Sequence, residues 1–99
     1  MLSLTLYISG DSANGRRARD NFGTLLRRLT DTCDAQIVDV LTNPYAAEEA
    51  RVIATPMLVL TSSTPARRVI GDLSDLEGVL DYLELPASPP AAPQPDRPA

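Results

Sequence analysis

The chain has 99 residues, no histidine, one cysteine and a formal net charge of −4. The lack of histidine removes the usual imidazole base and most zinc sites, and a single cysteine cannot form a disulfide within the chain. The negative charge disfavours a general nucleic-acid binder. The apolar runs are too short to span a bilayer, and a single cysteine suits a reducing compartment, so we expect a cytoplasmic protein. We also expect no metal and no cofactor.

Composition changes near the end of the chain. Residues 86–99 hold six of the nine prolines and almost no large apolar side chain, so this stretch cannot offset the conformational entropy lost on ordering. We therefore expect one folded domain, residues 1–85, and a disordered Pro/Ala-rich tail, residues 86–99. A domain this short buries only about 60% of its unfolded surface, so self-association or docking would stabilise it.

The N-terminal third predicts a strand followed by a helix. Residues 2–9 alternate apolar and polar side chains, which is typical of a strand, and residues 10–12 interrupt the pattern. Asn14 is a plausible N-cap of the following helix. The apolar residues of that helix recur at helical spacing, namely Ala18, Phe22, Leu25, Leu26 and Leu29.

The middle of the chain predicts a second strand and a short helix. Residues 36–41 are mostly apolar and β-branched, which favours a strand. Asn43 and Pro44 have the pattern of an N-cap followed by proline at the first helical position, so we expect a helix that reaches about Arg51.

The last third predicts a hairpin and a helix. Residues 57–61 and 66–70 are β-type runs, and the four residues between them are too few for a crossover helix. The two strands should therefore be antiparallel. Ser74 and Glu77 form a capping-box pattern that begins a final helix, which Pro86 ends.

The predicted order is βαβαββα, with the first two strands parallel and the last two antiparallel. This is the order of the thioredoxin-like fold, in the α/β class. Thr55-Pro56 precedes the third strand, where that fold places a cis X-Pro bond, and a folded structure readily holds its cost of about 0.5–1 kcal/mol. We therefore predict a structural cis-proline at Pro56, with a trans proline that opens an edge strand as the alternative.

The single cysteine does not match a redox site. A redox thioredoxin requires Cys-x-x-Cys at the start of the first helix, where the helix N-terminus lowers the thiol pKa. Residues 11–15 occupy that place without a cysteine. Cys33 lies beyond the other end of the helix, where the dipole disfavours a thiolate. We expect no enzymatic activity, with a degenerate thiol-redox protein as the alternative.

Charge is unevenly distributed along the chain. Five arginines fall in one segment, at Arg16, Arg17, Arg19, Arg27 and Arg28, and five acids fall in another, at Asp72, Asp75, Glu77, Asp81 and Glu84. We expect an electrically two-faced molecule, that is, one with a positively charged side and a negatively charged side. The arginine face is either a solvated surface or a dock for an acidic partner, where charge chiefly sets rate and orientation. Strand alternation sends Arg67 and Arg68 to opposite sides of the sheet.

Several sequence blocks, in the same order along residues 2–85, resemble the KaiB family of circadian clock proteins. They are residues 6–10, 38–44, 47–49, 53–56 and 67–74. The most specific are Ala54-Thr55-Pro56 and the Arg-Arg-Val-Ile-Gly-Asp-Leu-Ser stretch that begins at Arg67.

The resemblance implies a non-enzymatic clock regulator that binds the KaiC ATPase ring and promotes its dephosphorylation and phase progression. It also implies fold-switching, in which an oligomeric ground state, a dimer or tetramer, rearranges its C-terminal half into a thioredoxin-like monomer that binds KaiC. Such an exchange requires two packings within a few kcal/mol of each other.

One departure from the family bears on that exchange. Family members have Gly-Leu-Asp where this chain has Tyr82-Leu83-Glu84. Replacing glycine in a helix gains about 0.5–1 kcal/mol of helix preference. We therefore predict that the thioredoxin-like state is better populated in this chain.

The resemblance places partner-binding residues on the first helix and the second strand, at positions matched by Arg17, Asp34, Gln36 and Arg68. With the charge pattern, the candidate set becomes Arg16, Arg17, Asp34, Gln36, Arg67 and Arg68. The expected partner is a KaiC-type ATPase, and a KaiA-type or kinase partner is a further candidate.

The sensor domain of a clock histidine kinase is an alternative, because it shares the fold and many of the motifs. No kinase sequence follows Leu85, which favours a free-standing regulator.

Overall fold

A computed structural model describes residues 1–89. The elements are β1 (Leu2–Ile8), α1 (Ala13–Arg28), β2 (Cys33–Asp39), α2 (Pro44–Glu49), β3 (Met57–Leu60), β4 (Arg67–Ile70) and α3 (Leu76–Leu83). They follow the predicted βαβαββα order. The four strands form one sheet in the order β2-β1-β3-β4. Strands β1 and β2 are parallel, and the β1–β3 and β3–β4 pairs are antiparallel, as predicted.

The alternation in β1 gives the sheet a first face on which the main core forms. Leu4, Leu6 and Ile8 are fully buried there, beside Leu58 and Leu60 of β3. Helices α1 and α3 cover this face with the side chains of Ala18, Phe22, Leu25, Val79, Leu80 and Leu83. Burying one large apolar side chain contributes about 1.5–3 kcal/mol, so this cluster supplies most of the stability.

The opposite side of the sheet, the second face, is covered much less. Its buried residues are Tyr7, Met57 and Val59. The partly buried side chains packed against them come from the end of β2 and the segment after α2, namely Val38, Val40, Ala50 and Val52. All six residues of α2 remain at least partly accessible to solvent. Within residues 1–89 the cover of the second face is therefore confined to one end.

Both long helices begin at caps that differ from the prediction. The N-cap of α1 is Ser12, whose side chain accepts a hydrogen bond from the Gly15 amide at 3.0 Å. Asn14, the predicted cap, lies inside the first turn. A short hydroxyl bonds the N3 amide as well as an Asn side chain does, so the propensity of these residues could not settle which one caps the helix.

The N-cap of α3 is Asp75, which accepts from the Gly78 amide at 3.1 Å. The predicted cap, Ser74, instead donates its backbone N–H to Asp72 at 3.0 Å. Glu77 does not complete a capping box, because its carboxylate pairs with Arg28 of α1.

Strand β2 lies three residues earlier at its start than predicted. It begins at Cys33 because it pairs with β1 from Leu2 onward, and it ends at Asp39 opposite Ile8. The pairing register, which the local pattern does not contain, fixes these bounds.

Residues 86–88, assigned to a disordered tail by their composition, form a C-terminal strap against the end of α1. Ala87 makes an antiparallel bridge with Leu29, and the Thr30 amide donates to the Pro86 carbonyl at 3.0 Å. Backbone pairing does not require large apolar side chains, which is why composition failed to indicate it. The prediction for residues 90–99 lies outside the described residues.

The bond between Thr55 and Pro56 is cis, the geometry predicted for Pro56. Pro56 is buried at the start of β3, and its carbonyl accepts from the Gly71 amide at 2.9 Å. None of the helices within residues 1–89 has the length and apolar character that crossing a bilayer requires.

Candidate partner-binding surface

Three of the six candidate residues lie on the second face. Asp34 and Gln36 are exposed on β2, in register with Ser3 and Thr5 of β1. Arg68 is exposed on β4. The strand order puts β2 and β4 at opposite edges of the sheet, three strand spacings or about 14 Å apart. These residues therefore share a face without forming one cluster.

Arg68 is oriented toward the segment that follows α2. Its Nη1 donates to the Arg51 carbonyl at 3.0 Å, and on β4 it lies opposite Val59. Burial raises the pKa of Tyr7, while the nearby charge of Arg68 lowers it. Arg68 thus lies at the rim of the small apolar cluster on the second face.

Arg67 lies on the other side of β4. Its Nη1 bonds the Glu84 carboxylate at 2.9 Å and the Tyr82 carbonyl at 3.0 Å. These contacts join β4 to the end of α3. Arg67 is therefore separated from the second face and engaged within the fold.

Arg16 and Arg17 project from the start of α1 and both have partners within the chain. Arg16 pairs with Asp11, with Nη1 to Oδ1 at 3.1 Å. Arg17 pairs with Asp72 at 3.3 Å and also bonds Asn14. More than half of each arginine side chain remains exposed, so both stay accessible to a partner.

The expectation of an electrically two-faced molecule is wrong. Helices α1 and α3 cover the same face of the sheet, so the acidic segment lies beside the arginine segment. Arg17 pairs with Asp72 and Arg28 pairs with Glu77. Two charges of each segment are thus paired in space although they are far apart in sequence.

Asp72 has a structural role in the fold that the sequence reasoning missed. Hydrogen bonds from Ser74, followed by the Arg17 guanidinium, hold the pKa of its carboxyl below the ordinary value. Its backbone carbonyl accepts from the Asn21 side chain at 2.7 Å. The sequence feature that could have indicated this role is the position of Asp72 in the Gly-Asp-Leu-Ser stretch, shortly before the start of a helix.

A second overlooked acid, Asp39, lies where the parallel strands β1 and β2 end. Its Oδ1 accepts from the amides of Gly10 and Leu41, each at 3.0 Å. These bonds, with Gly10 first, lower the pKa of Asp39, and Arg19 adds a smaller effect. The acid thus ties the end of β2 to the loop before α1.

An open polar groove of 530 Å³ surrounds this point. It is lined by Gly10, Asp11, Arg16, Arg19, Asp20 and Asp39. The carboxyl ends of parallel strands are a common place for ligands in α/β folds. Here the lining mixes both charges and lacks an enclosed apolar floor.

Cys33 is poorly placed for thiol chemistry. It lies at the start of β2, half-buried against the main core. Burial raises the pKa of its thiol, so the thiolate is disfavoured at neutral pH. At the start of α1, where a redox thioredoxin would hold its cysteines, the cap is Ser12. Within residues 1–89, no group of three or more cysteine and acidic side chains could hold a metal ion.

The chain is similar in sequence to proteins named as circadian clock proteins. A family model described as the KaiB domain matches residues 5–85. The circadian clock oscillator protein KaiB of Gloeothece citriformis (strain PCC 7424) is 42% identical over 83 residues, which cover 83% of this chain and 78% of the relative. The protein of the same name from Synechococcus elongatus (strain ATCC 33912) is 41% identical, covering 83% and 81%.

Solved structures establish the fold independently. Mitochondrial thioredoxin 3 from Saccharomyces cerevisiae, in its oxidised form, superposes with a TM-score of 0.68 at 20% identity, covering 83% of this chain and 78% of that one. The N-terminal domain of Synechococcus elongatus SasA gives a TM-score of 0.66 at 22% identity, covering 84% and 83%. The predicted thioredoxin-like fold is therefore confirmed, and with the sequence matches above, the chain belongs to the KaiB family.

Proposed function

We propose that this chain is a non-enzymatic clock regulator that binds a KaiC-type ATPase and promotes its dephosphorylation and phase progression. The observation that carries the proposal is the KaiB-domain match over residues 5–85. The half-buried thiol of Cys33 and the cysteine-free start of α1 agree with a binding role. The proposed place of action is the cytoplasm.

The proposed contact surface combines the second face with the start of α1. The first face is occupied by the main core, so the residues on it are not available to a partner. Asp34 and Gln36 are exposed on the edge strand β2, and Arg68 is exposed on β4. Arg17 and Arg16 add accessible positive charge at the start of α1. Arg67 is bound to Glu84, and we assign it a structural role.

We infer that the thioredoxin-like form is the one that binds. If a second, oligomeric packing of the same chain competes with it, the apparent affinity falls by the fraction of protein in the binding form. Tyr82 lies in the last turn of α3 and is 58% exposed, so its effect there is mainly helix propensity. The loss of the family glycine at this position favours the binding form.

The alternative hypothesis is that the chain is a sensor domain in a histidine-kinase pathway. The SasA N-terminal domain has the same fold, so the fold alone does not distinguish a sensor domain from a free-standing regulator. A KaiA-type protein and a clock kinase are further proposed partners. A sensor domain would act through a kinase, whereas the proposed regulator forms a complex with the ATPase by itself.

Size-exclusion chromatography with light scattering tests the proposal. The protein is run alone and after mixing with the cognate KaiC-type ATPase and ATP, with an unrelated ring ATPase as the control. We expect a largely monomeric free protein that co-elutes with the KaiC-type ring and not with the control. A complex with neither ring, under any nucleotide condition, would contradict the proposal.

A further inference from the structure

The C-terminal strap, residues 86–88, is fastened to the end of α1 by main-chain and side-chain bonds. Next to the bridge between Leu29 and Ala87, the Ser88 amide donates to the Arg28 carbonyl at 2.8 Å. The Ser88 hydroxyl donates to the same carbonyl at 3.2 Å. Ala87 also packs against the main core. The strap is therefore a paired and partly buried segment of the fold.

The side chain of Arg28 joins the strap to α3. Its Nε and Nη2 donate to the Ser88 carbonyl at 3.0 and 2.7 Å. Its Nη1 pairs with the Glu77 carboxylate in the first turn of α3. Only 14% of the Arg28 side chain is exposed, so solvent and salt screen these contacts less than an open surface pair. One guanidinium thus connects α1, α3 and the strap.

The neighbouring Arg27 provides a contrast within the same turn. Its side chain is exposed, and its Nη2 bonds the hydroxyl of Thr24 in its own helix at 3.1 Å. Arg27 and Arg28 therefore have the same chemistry and almost the same helix position. They differ in whether they reach another element.

The other end of α3 is held from β4. Arg67 bonds the Glu84 carboxylate and the Tyr82 carbonyl, and Glu84 ends the helix with a left-handed φ of 54°. The chain then continues through the buried Leu85 to the strap. Helix α3 is thus fixed near its first turn by Arg28 and at its last turn by Arg67.

We propose that Arg28 and the strap form a latch that keeps α3 closed on the first face of the sheet. Releasing the latch lets α3 open locally while β1 and the rest of the sheet stay folded. If the thioredoxin-like form is the binding form, the latch also sets how much protein is ready to bind a partner. That second statement rests on the proposed function, whereas the first does not.

Hydrogen exchange of the full-length chain tests the latch. The variants are Arg28→Gln, which removes the guanidinium, and Ser88→Pro, which removes the amide and hydroxyl donors of the strap. Arg27→Gln is the matched control. Arg28→Gln loses bonds made by a charged group, and Ser88→Pro loses two bonds to the Arg28 carbonyl. We therefore expect the α3 amides to exchange about tenfold faster in both variants than in the control. The α3 amides should exchange through an opening that depends less on denaturant than exchange of the β1 amides does, because a local opening exposes less surface than global unfolding.

The pattern of exchange decides the proposal. Unchanged α3 exchange in Arg28→Gln and Ser88→Pro would overturn it. So would exchange of the α3 and β1 amides with the same dependence on denaturant, because both sets would then exchange only through global unfolding. If Arg28→Gln does not fold, Glu77→Gln removes the ion pair at a more exposed site and takes its place in the comparison.

Measuring binding to the KaiC-type ATPase separates two statements: that the latch holds α3 closed, and that the latch controls binding. Faster α3 exchange together with weaker ATPase binding supports both the latch and its role in binding. Faster α3 exchange with unchanged binding by the same variants keeps the latch and overturns its link to the partner. If the unmodified chain does not bind the ATPase, the proposed function fails while the exchange data still test the latch.

Discussion

The two faces of the sheet differ in what covers them. Helices α1 and α3 bury the first face, where Leu4, Leu6 and Ile8 are inaccessible to solvent. The second face has a small cluster around Tyr7, and its exposed side chains include the polar Asp34, Gln36 and Arg68 and the apolar Ile70. Most of the buried apolar side chains thus lie on one side of the sheet, and under the proposed function recognition uses the other side. A partner can therefore approach without disturbing the main core.

The largest expected effect comes from deleting an aromatic ring on the buried side. Phe22→Ala should cost about 3–5 kcal/mol in the free energy of unfolding, because the ring is buried in the main core. The matched control is Tyr45→Ala in α2, where the ring is 81% exposed and the expected change is within about 0.5 kcal/mol. Urea unfolding followed by circular dichroism measures both. Similar losses in both variants would show that stability does not depend on burial in the main core.

A smaller effect is expected from restoring glycine in α3. Tyr82→Gly should destabilise the thioredoxin-like form by about 1 kcal/mol, since glycine has low helix propensity. Tyr82→Ala removes the same ring and keeps the propensity, so it separates helix preference from side-chain contacts. The measurement is the free energy of unfolding, together with the oligomeric state by light scattering. Equal behaviour of the two variants would show that helix propensity at this position does not control the state of the chain.

The reactivity of the Cys33 thiol tests how well the start of β2 is buried. Since burial raises the pKa of Cys33, the folded protein should react with a thiol reagent near pH 8 more slowly than the urea-unfolded chain. The raised pKa also means that the contribution of this thiol to stability is lost as pH rises above the unfolded value of about 8.5. Cys33→Ser should leave ATPase binding unchanged. A thiol that reacts faster in the folded protein would support the thiol-redox alternative.

The smallest effect concerns the ion pair between Arg17 and Asp72. Arg17→Gln should change the free energy of unfolding by less than about 1 kcal/mol, because more than half of the arginine side chain is exposed to solvent. NMR titration should show the pKa of Asp72 rising in this variant. It should stay below its ordinary value, because the bonds from Ser74 remain. An unshifted pKa would mean that Arg17 does not act on this carboxyl in solution.

The direction of that titration effect follows from linkage. A carboxyl whose pKa is lowered in the folded state stabilises the fold above its unfolded pKa of about 3.9. The contribution is lost as pH falls through the folded value. Asp72→Asn should therefore reduce the loss of stability on acidification, whereas Asp81→Asn, an exposed acid on α3, serves as the control.

The sequence predicted the order of elements because β1 and α1 have clear hydrophobic periods, and these periods depend on local burial. It missed the caps at Ser12 and Asp75 because several neighbouring side chains can bond the same orphan amides. It also missed the strap, since a proline-rich composition does not reveal main-chain pairing with a distant residue such as Leu29. The local sequence pattern was enough to predict the helices and strands. The strand register and the pairing of the strap became visible only in the folded chain.

The candidate site was predicted less well than the fold. The sequence correctly indicated that Arg67 and Arg68 occupy opposite sides of β4, because alternation depends only on strand geometry. It could not indicate that Arg67 is bound by Glu84 or that Arg17 is paired with Asp72, since both contacts depend on how separate elements pack together. Which charges remain available to a partner is decided by tertiary packing.

The most direct test of the central claim compares ATPase binding by charge reversals on the two sides of the sheet. Asp34→Lys changes the second face, and Asp81→Lys makes the same change on the exposed side of α3. The dissociation constants for the KaiC-type ATPase are measured after both variants are shown to be folded. We predict that Asp34→Lys alters the affinity at least about tenfold, as 1.4 kcal/mol would, while Asp81→Lys binds like the unmodified chain. An effect of Asp81→Lys with none from Asp34→Lys would contradict this prediction.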